Sequence, residues 1–367
     1  MTNTNDINAS ENAFSKKVTL FSFIMTFFVV FSHWTHFYRM TNPTASPVLL
    51  DALDSFFSMM GIAALASFFM MSGFMFFRGV EAFSDLKGKM LRRLISLGIP
   101  FIFWNFIFLV YELLYGLVKG GVDIDIIDVL FGFSFAPLNA PMWYLLALLV
   151  LMCFSPLILM LKKHPRVALI CTVAVYAGVY ILYFFSEGGN WAYNWVLRLL
   201  GYAPIYMLGA VLALCAPTAV TNEQSRRYGG FISAGAGVLS LVIILIVTLG
   251  DVNNVKILWF IHQLLPVLLW TALPMSLCSK ARISFPLTVA PFVYAMHSLL
   301  ILILNSLWTQ KIFSGVDFPF ALDMFFLVIL VGILYGVCLG VAFVARKLLP
   351  EKIYKIFAGG SAGRKMF

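Results

Sequence analysis

Two histidines, His33 and His36, stand in the stretch VVFSHWTHFYRM, and His33 closes an apolar run that begins at Val18. His33 lies about 22 Å of helix rise beyond Val18, within the thickness of a bilayer. An ionisable side chain at such depth is costly and usually faces a protein interior or a pathway. Imidazole titrates near neutrality, so His33 is suited to take a proton from a hydroxyl. The plainer reading is a satisfied interfacial histidine at a helix end. His36 is one turn further out. HxxH is a possible metal pair, but no acid or cysteine is near it in sequence. No metal is therefore expected, and His36 reads as a residue at headgroup level.

Two more histidines fall in apolar stretches: His297 in FVYAMHSLLILI and His262 in WFIHQLLP. Each is either a structural group with partners or a participant in chemistry. Glu112, in LVYELLYG, is the one acid well inside an apolar run. It either orients an imidazole or marks the outer interface. A basic cluster, DLKGKMLRRLISLGIPFIFWN, carries Lys87, Lys89, Arg92 and Arg93 ahead of an apolar run. Cations there clamp phosphates of a soluble donor, or simply set orientation. Ser72-Gly73, in FFMMSGFMFFRG, is a small notch that permits close helix approach or admits a ligand tail. HExxH, Walker and GxGxxG patterns are absent.

The elements that position these groups follow from composition. The chain has 367 residues, 62% hydrophobic and 11% charged, with a mean hydropathy of +0.95. Soluble domains carry roughly 25% charge. An all-α polytopic membrane bundle is expected. Ten apolar runs are long enough to span: 18–38, 56–78, 94–115, 141–161, 167–185, 197–215, 230–249, 256–278, 286–305 and 322–345. With residue 1 in the cytoplasm, all but five of the 25 Lys and Arg (Arg39, Lys119, Arg198, Lys256, Lys311) fall on the inner side. The positive-inside rule then places both termini in the cytoplasm.

The division expected is a cytoplasmic tail 1–17, a transmembrane domain 18–345 and a basic cytoplasmic tail 346–367. The first run reads as a spanning helix and not a cleaved signal. Trp143, Trp191, Trp195, Trp259 and Trp308 fall near outer span ends, as an interfacial belt would. The net charge of +9 reports orientation, and nucleic acid is not an expected partner. The five cysteines lie in or beside apolar runs without CxxC spacing and read as small hydrophobes. The segments 116–139 and 79–93 are the long connections.

Five pieces in order resemble the membrane-bound acyltransferase-3 family. LFSFIMTFFVVFSHW is similar to its first helix, which ends in a key histidine. SFFMMSGFMF, KMLRRLISLGIPFIFWN, PMWYLLALLVLMCFSPLI and FVYAMHSLL are similar to its SG, basic IP-WN, P-x-W and late Y-x-x-H segments. The resemblance implies transfer of an acyl group, commonly acetyl, from cytoplasmic acyl-CoA to a hydroxyl of an extracytoplasmic glycan. It implies His33 as the base or acyl carrier, and Lys89, Arg92, Arg93 and Ser72 on the donor. His297, Glu112 and Trp143 are further candidates.

The resemblance also implies acetyl-CoA as donor substrate, lipid and carbohydrate partners, and a bacterial-type inner membrane. The chain departs from the family pattern at Ser22, where Arg or Lys is usual, and at Leu146-Ala147, where many relatives carry Arg-Asp. The basic Arg-x-x-Arg appears only as Lys89-x-x-Arg92. The alternatives are a glycan or metabolite exporter, or an accessory subunit of a surface-polysaccharide machine. The exporter reading lacks the paired broken spans of inverted repeats.

Overall fold

A computed structural model describes residues 4–41, 47–119, 129–130, 132–133, 137–184, 191–221, 228–249, 256–307 and 320–357. These are almost entirely helical, with no strand among them. The main helices are α1 (Thr4–Thr41), α2 (Pro47–Phe77), α3 (Phe83–Arg93), α4 (Ile99–Lys119), α5 (Trp143–Cys153), α6 (Ser155–Met160) and α7 (Pro165–Phe184). They continue with α8 (Trp191–Cys215), α9 (Gly229–Leu249), α10 (Lys256–Ala272), α11 (Ala290–Leu307), α12 (Phe320–Leu348) and α13 (Glu351–Phe357).

Seven helices among the described residues are long and apolar enough to cross a membrane. The pair α5–α6 adds an eighth if counted as one span, bent by 52°. The bend lies at Phe154, just ahead of Pro156, whose ring removes a backbone donor. The two remaining expected spans are α10 and α11, whose described apolar parts are Ile261–Ala272 and Ala290–Leu304. Pro274 follows the end of the first, and Pro291 sits in the first turn of the second, where a missing N–H costs nothing. The chain is thus a multi-pass membrane protein. Apolar side chains such as Ile170, Val173, Leu241 and Leu245 are exposed, as lipid contact requires.

Some expectations meet the described residues only at their edges. α1 begins at Thr4, inside the segment read as a tail, and Ala13, Phe14 and Lys17 on it are buried. α12 and α13 carry helix through the start of the second expected tail, to Phe357. The side chains of His36, Trp191, Trp195 and Trp259, and all of Trp308, lie outside the described residues. So does most of the loop beyond Lys119.

Contacts divide the chain into two compact units. The first comprises residues 1–32, 47–89 and 151–287. Here α2 packs on α8, α9 and α10, and α7 packs on α8. Lipid tails are as apolar as leucine, so close backbone approach drives this packing. A Cβ added to Gly73 would meet the Tyr206 carbonyl oxygen at 2.2 Å, and one on Gly209 the Met70 oxygen at 2.1 Å. Only glycine fits either position. Phe69 stacks on Tyr202 in the same seam, with centroids 4.8 Å apart. The second unit comprises residues 33–46, 90–150 and 288–367. In it α11 packs against α4, α12 and a short turn at Ala140–Met142, while α13 lies on α4.

Candidate active site

The second unit brings two of the candidate histidines together. His33 comes from α1 and His297 from α11, with ring centroids 5.1 Å apart and planes inclined by 43°. His33 is half-buried, while His297 is wholly buried. His297 Nδ1 lies 2.7 Å from the Tyr294 carbonyl oxygen. A carbonyl only accepts, so Nδ1 carries the hydrogen, and in the neutral ring Nε2 carries the lone pair. That Nε2 is buried and makes no hydrogen bond.

A set of hydrogen bonds holds α11 around this ring. The Tyr294 hydroxyl donates to the Pro141 carbonyl. Asn139 Nδ2 donates to the Ala295 carbonyl at 3.0 Å. The Asn139 backbone N–H donates to Asn105 Oδ1 at 3.1 Å, and Asn105 Nδ2 donates to Phe101 O at 2.8 Å. Three segments, α4, the 139–142 turn and α11, are thereby tied by buried polar contacts. In a lipid-surrounded interior such bonds have little competition from water. Tyr144 packs edge-on to Tyr294 and Trp104 to Phe292. Asn139 Oδ1, like His297 Nε2, is a buried acceptor without a hydrogen bond.

Asn105, Asn139 and Tyr294 were not among the sequence candidates. Their signal was present: an amide inside IFWNFIF needs a partner as much as an imidazole does. Of the other candidates, Trp143 is half-buried and opens α5, two residues past the carbonyl that Tyr294 grips. Glu112 is half-buried on α4, about 10 Å of rise beyond Asn105. The group that orients His297 is a carbonyl, not this carboxylate.

The histidine of α10 provides a contrast within the first unit. His262 Nε2 lies 2.9 Å from the Met59 carbonyl, and its Nδ1 lies 3.3 Å from Ser240 Oγ. Both nitrogens are satisfied, so His262 is a pin joining α2, α9 and α10. The Ser72-Gly73 notch belongs to the α2–α8 seam, where Ser72 is 9% exposed. The observed geometry is the close helix approach.

The basic cluster divides by role. Lys89 Nζ donates to the carbonyls of Phe76, at 3.0 Å, and Arg78. It thus caps the end of α2, beside Gly79 at φ 68°. Asp85 Oδ2 accepts from the N–H groups of Glu81 and Ala82, at 2.9 Å each, and starts α3 as half of a capping box. Arg92 is exposed and Arg93 half-buried at the last turn of α3. A π-helical turn, Leu94–Gly98, then leads into α4 ahead of Pro100.

The lysines that stand well before Ser22 are committed as well. Lys17 Nζ donates to Leu273 O at 2.9 Å and lies over the Trp270 ring at 5.1 Å. Lys16 Nζ donates to Ser279 O at 2.8 Å. No group of three or more metal-ligating side chains occurs among the described residues.

A family model described as an acyltransferase domain matches residues 19–345 of the chain. No curated protein and no solved structure matches it.

Proposed function

This chain belongs to the membrane acyltransferase family, and from that premise we propose that it moves an acetyl group from cytoplasmic acetyl-CoA to a hydroxyl of an extracytoplasmic glycan. The observation that carries this reading is the meeting of His33 with an oriented, buried His297. In the reaction His33 takes the hydroxyl proton as the oxygen attacks the thioester carbonyl. A C–O bond forms and the C–S bond breaks. The protonated ring then returns its proton to the departing thiolate, so one proton passes from alcohol to thiol. General base catalysis of this kind contributes about 10²–10⁴-fold.

The donor's phosphates are held by Arg92 and Arg93, whose guanidinium forks suit phosphate oxygens. Lys89 fixes the platform on which they stand by capping α2. Along the chain from Arg93 to Asn105 the rise is about 18 Å, a span that an extended pantetheine arm covers. The protein lies in a bacterial-type inner membrane with both termini in the cytoplasm. It crosses ten times: the seven long helices, the bent pair, and the shorter apolar parts of α10 and α11.

The reading is tested with purified protein in lipid nanodiscs, labelled acetyl-CoA and an oligosaccharide acceptor. Wild type is expected to release free thiol in step with acetylated glycan. His33→Ala is expected to lose at least about 100-fold of that rate while retaining its thermal midpoint. Full transfer by His33→Ala, or glycan flux through liposomes without thioester turnover, overturns it.

A further inference from the structure

The described residues include two fully buried imidazoles, and they differ in one respect. His262 uses both ring nitrogens, on the Met59 carbonyl and the Ser240 hydroxyl. His297 uses only Nδ1 and leaves Nε2 buried without a hydrogen bond. A buried unpaired acceptor is costly and calls for an explanation. The ring cannot relieve the cost by flipping, because Nδ1–H is fixed on the Tyr294 carbonyl. The backbone that bears it is held in turn by Tyr294 on Pro141 and by Asn139 on Ala295. His33 is the neighbouring ring, at a centroid separation of 5.1 Å. The two rings make no hydrogen bond as they stand, inclined by 43°, but at that separation a turn of the His33 ring brings one of its nitrogens within reach of Nε2.

We infer that His297 is a positioning residue for His33, holding the proton that His33 handles. When the His33 ring turns toward it, the Nε2 lone pair accepts from one ring N–H of His33. That fixes His33 in the tautomer whose other nitrogen carries a lone pair towards the acceptor hydroxyl. When the hydroxyl oxygen attacks, its O–H bond breaks and a new N–H forms on His33. The N–H shared with His297 Nε2 spreads the resulting positive charge over both rings. Collapse to product returns that proton to the thiolate sulfur, and the pair ends with the protons it began with. The inference rests on the acyl-transfer reading and adds to it the group that sets the protonation of the base.

Two substitutions separate this role from mere support. His297→Asn keeps a donor for the Tyr294 carbonyl and deletes the acceptor at the Nε2 position. His297→Gln restores an amide oxygen near that position and weakens the tie to Tyr294. His297→Asn is expected to lower kcat by about 100-fold with the KM for acetyl-CoA unchanged. His297→Gln is expected to recover at least a tenth of the wild-type rate.

Ring ¹⁵N spectra of histidine-labelled wild type are expected to show His297 protonated at Nδ1. The Nε2 signal should carry a hydrogen-bond shift that vanishes in His33→Ala. His297→Asn turning over at the wild-type rate, while His33→Ala is dead, overturns this inference and leaves the acyl-transfer reading standing. His33→Ala at full rate sinks that reading first. If His297→Asn fails to fold, the wild-type spectrum decides, and an Nε2–H form of His297 overturns the inference.

Discussion

Substituting Gly73 by alanine tests whether the SG notch of α2 serves packing. The new methyl would lie 2.2 Å from the Tyr206 carbonyl oxygen, 3.1 Å from its carbon and 3.2 Å from the Ala210 nitrogen. All three are backbone atoms and cannot rotate away. Ordinary C···O contacts fall at about 3.3–3.6 Å, so α2 and α8 must part by roughly 1 Å. A gap of that size forfeits about a quarter to a half of each dispersion well it opens. It opens them along the Phe69–Tyr202 stack in particular. Overpacking of this kind costs about 1–3 kcal/mol, and Gly73→Ala belongs at the upper end because neither helix backbone can yield locally. The assay is the unfolding midpoint in nanodiscs. Gly201→Ala on α8 is the control, since a Cβ there meets nothing within 4 Å. The pair Gly73→Ala and Gly209→Ala should also be less than additive, because helices already parted admit the second methyl. A wild-type midpoint for Gly73→Ala, or an equal loss for Gly201→Ala, refutes the close-approach argument.

Two further outcomes follow from the same geometry. Lys89→Met removes the charged cap from the Phe76 and Arg78 carbonyls, and is expected to cost about 1–2 kcal/mol of stability. Arg92→Gln should instead raise the KM for acetyl-CoA about tenfold at an unchanged midpoint. Identical effects of the lysine and arginine variants would merge the two roles assigned here. His262→Leu leaves the Met59 carbonyl without its donor and is expected to lose about 1–3 kcal/mol while keeping kcat per folded molecule. A collapse of kcat at an intact midpoint would contradict the structural role given to His262.

What the sequence reveals here is cost, and what it hides is pairing. His33, His262 and His297 stand out because imidazole is expensive in an apolar run. Nothing in their spacing says that His33 meets His297 while His262 meets the Met59 carbonyl, since each pairing joins helices far apart in the chain. Asn105 and Asn139 were passed over because asparagine carries no charge, although a buried amide needs partners as much as a buried ring does. The apolar runs gave the order of the helices correctly. They did not show the bend at Phe154 ahead of Pro156 or the end of α10 before Pro274, because proline does not register in an average of hydropathy. Charge counting assigned Lys17 to an orientation signal, yet its stem is buried and its ammonium rests on Leu273 O and the face of Trp270.

The basic cluster shows the same limit and its physical source. Lys89, Arg92 and Arg93 are equivalent as charges on a cytoplasmic segment, but a helix separates their directions. Around the helix Arg92 lies about 60° to one side of Lys89 and Arg93 about 40° to the other. The lysine falls where the carbonyls of α2 end, and its compact ammonium can serve two of them at once. The arginines stand in the last turn of α3. Placed ahead of the π turn and α4, they mark the start of a helix that reaches Asn105 and, through Asn139, the backbone beside His297. The donor binding proposed for that end would therefore bear, through the hydrogen bonds of Asn105 and Asn139, on the element that orients the buried ring.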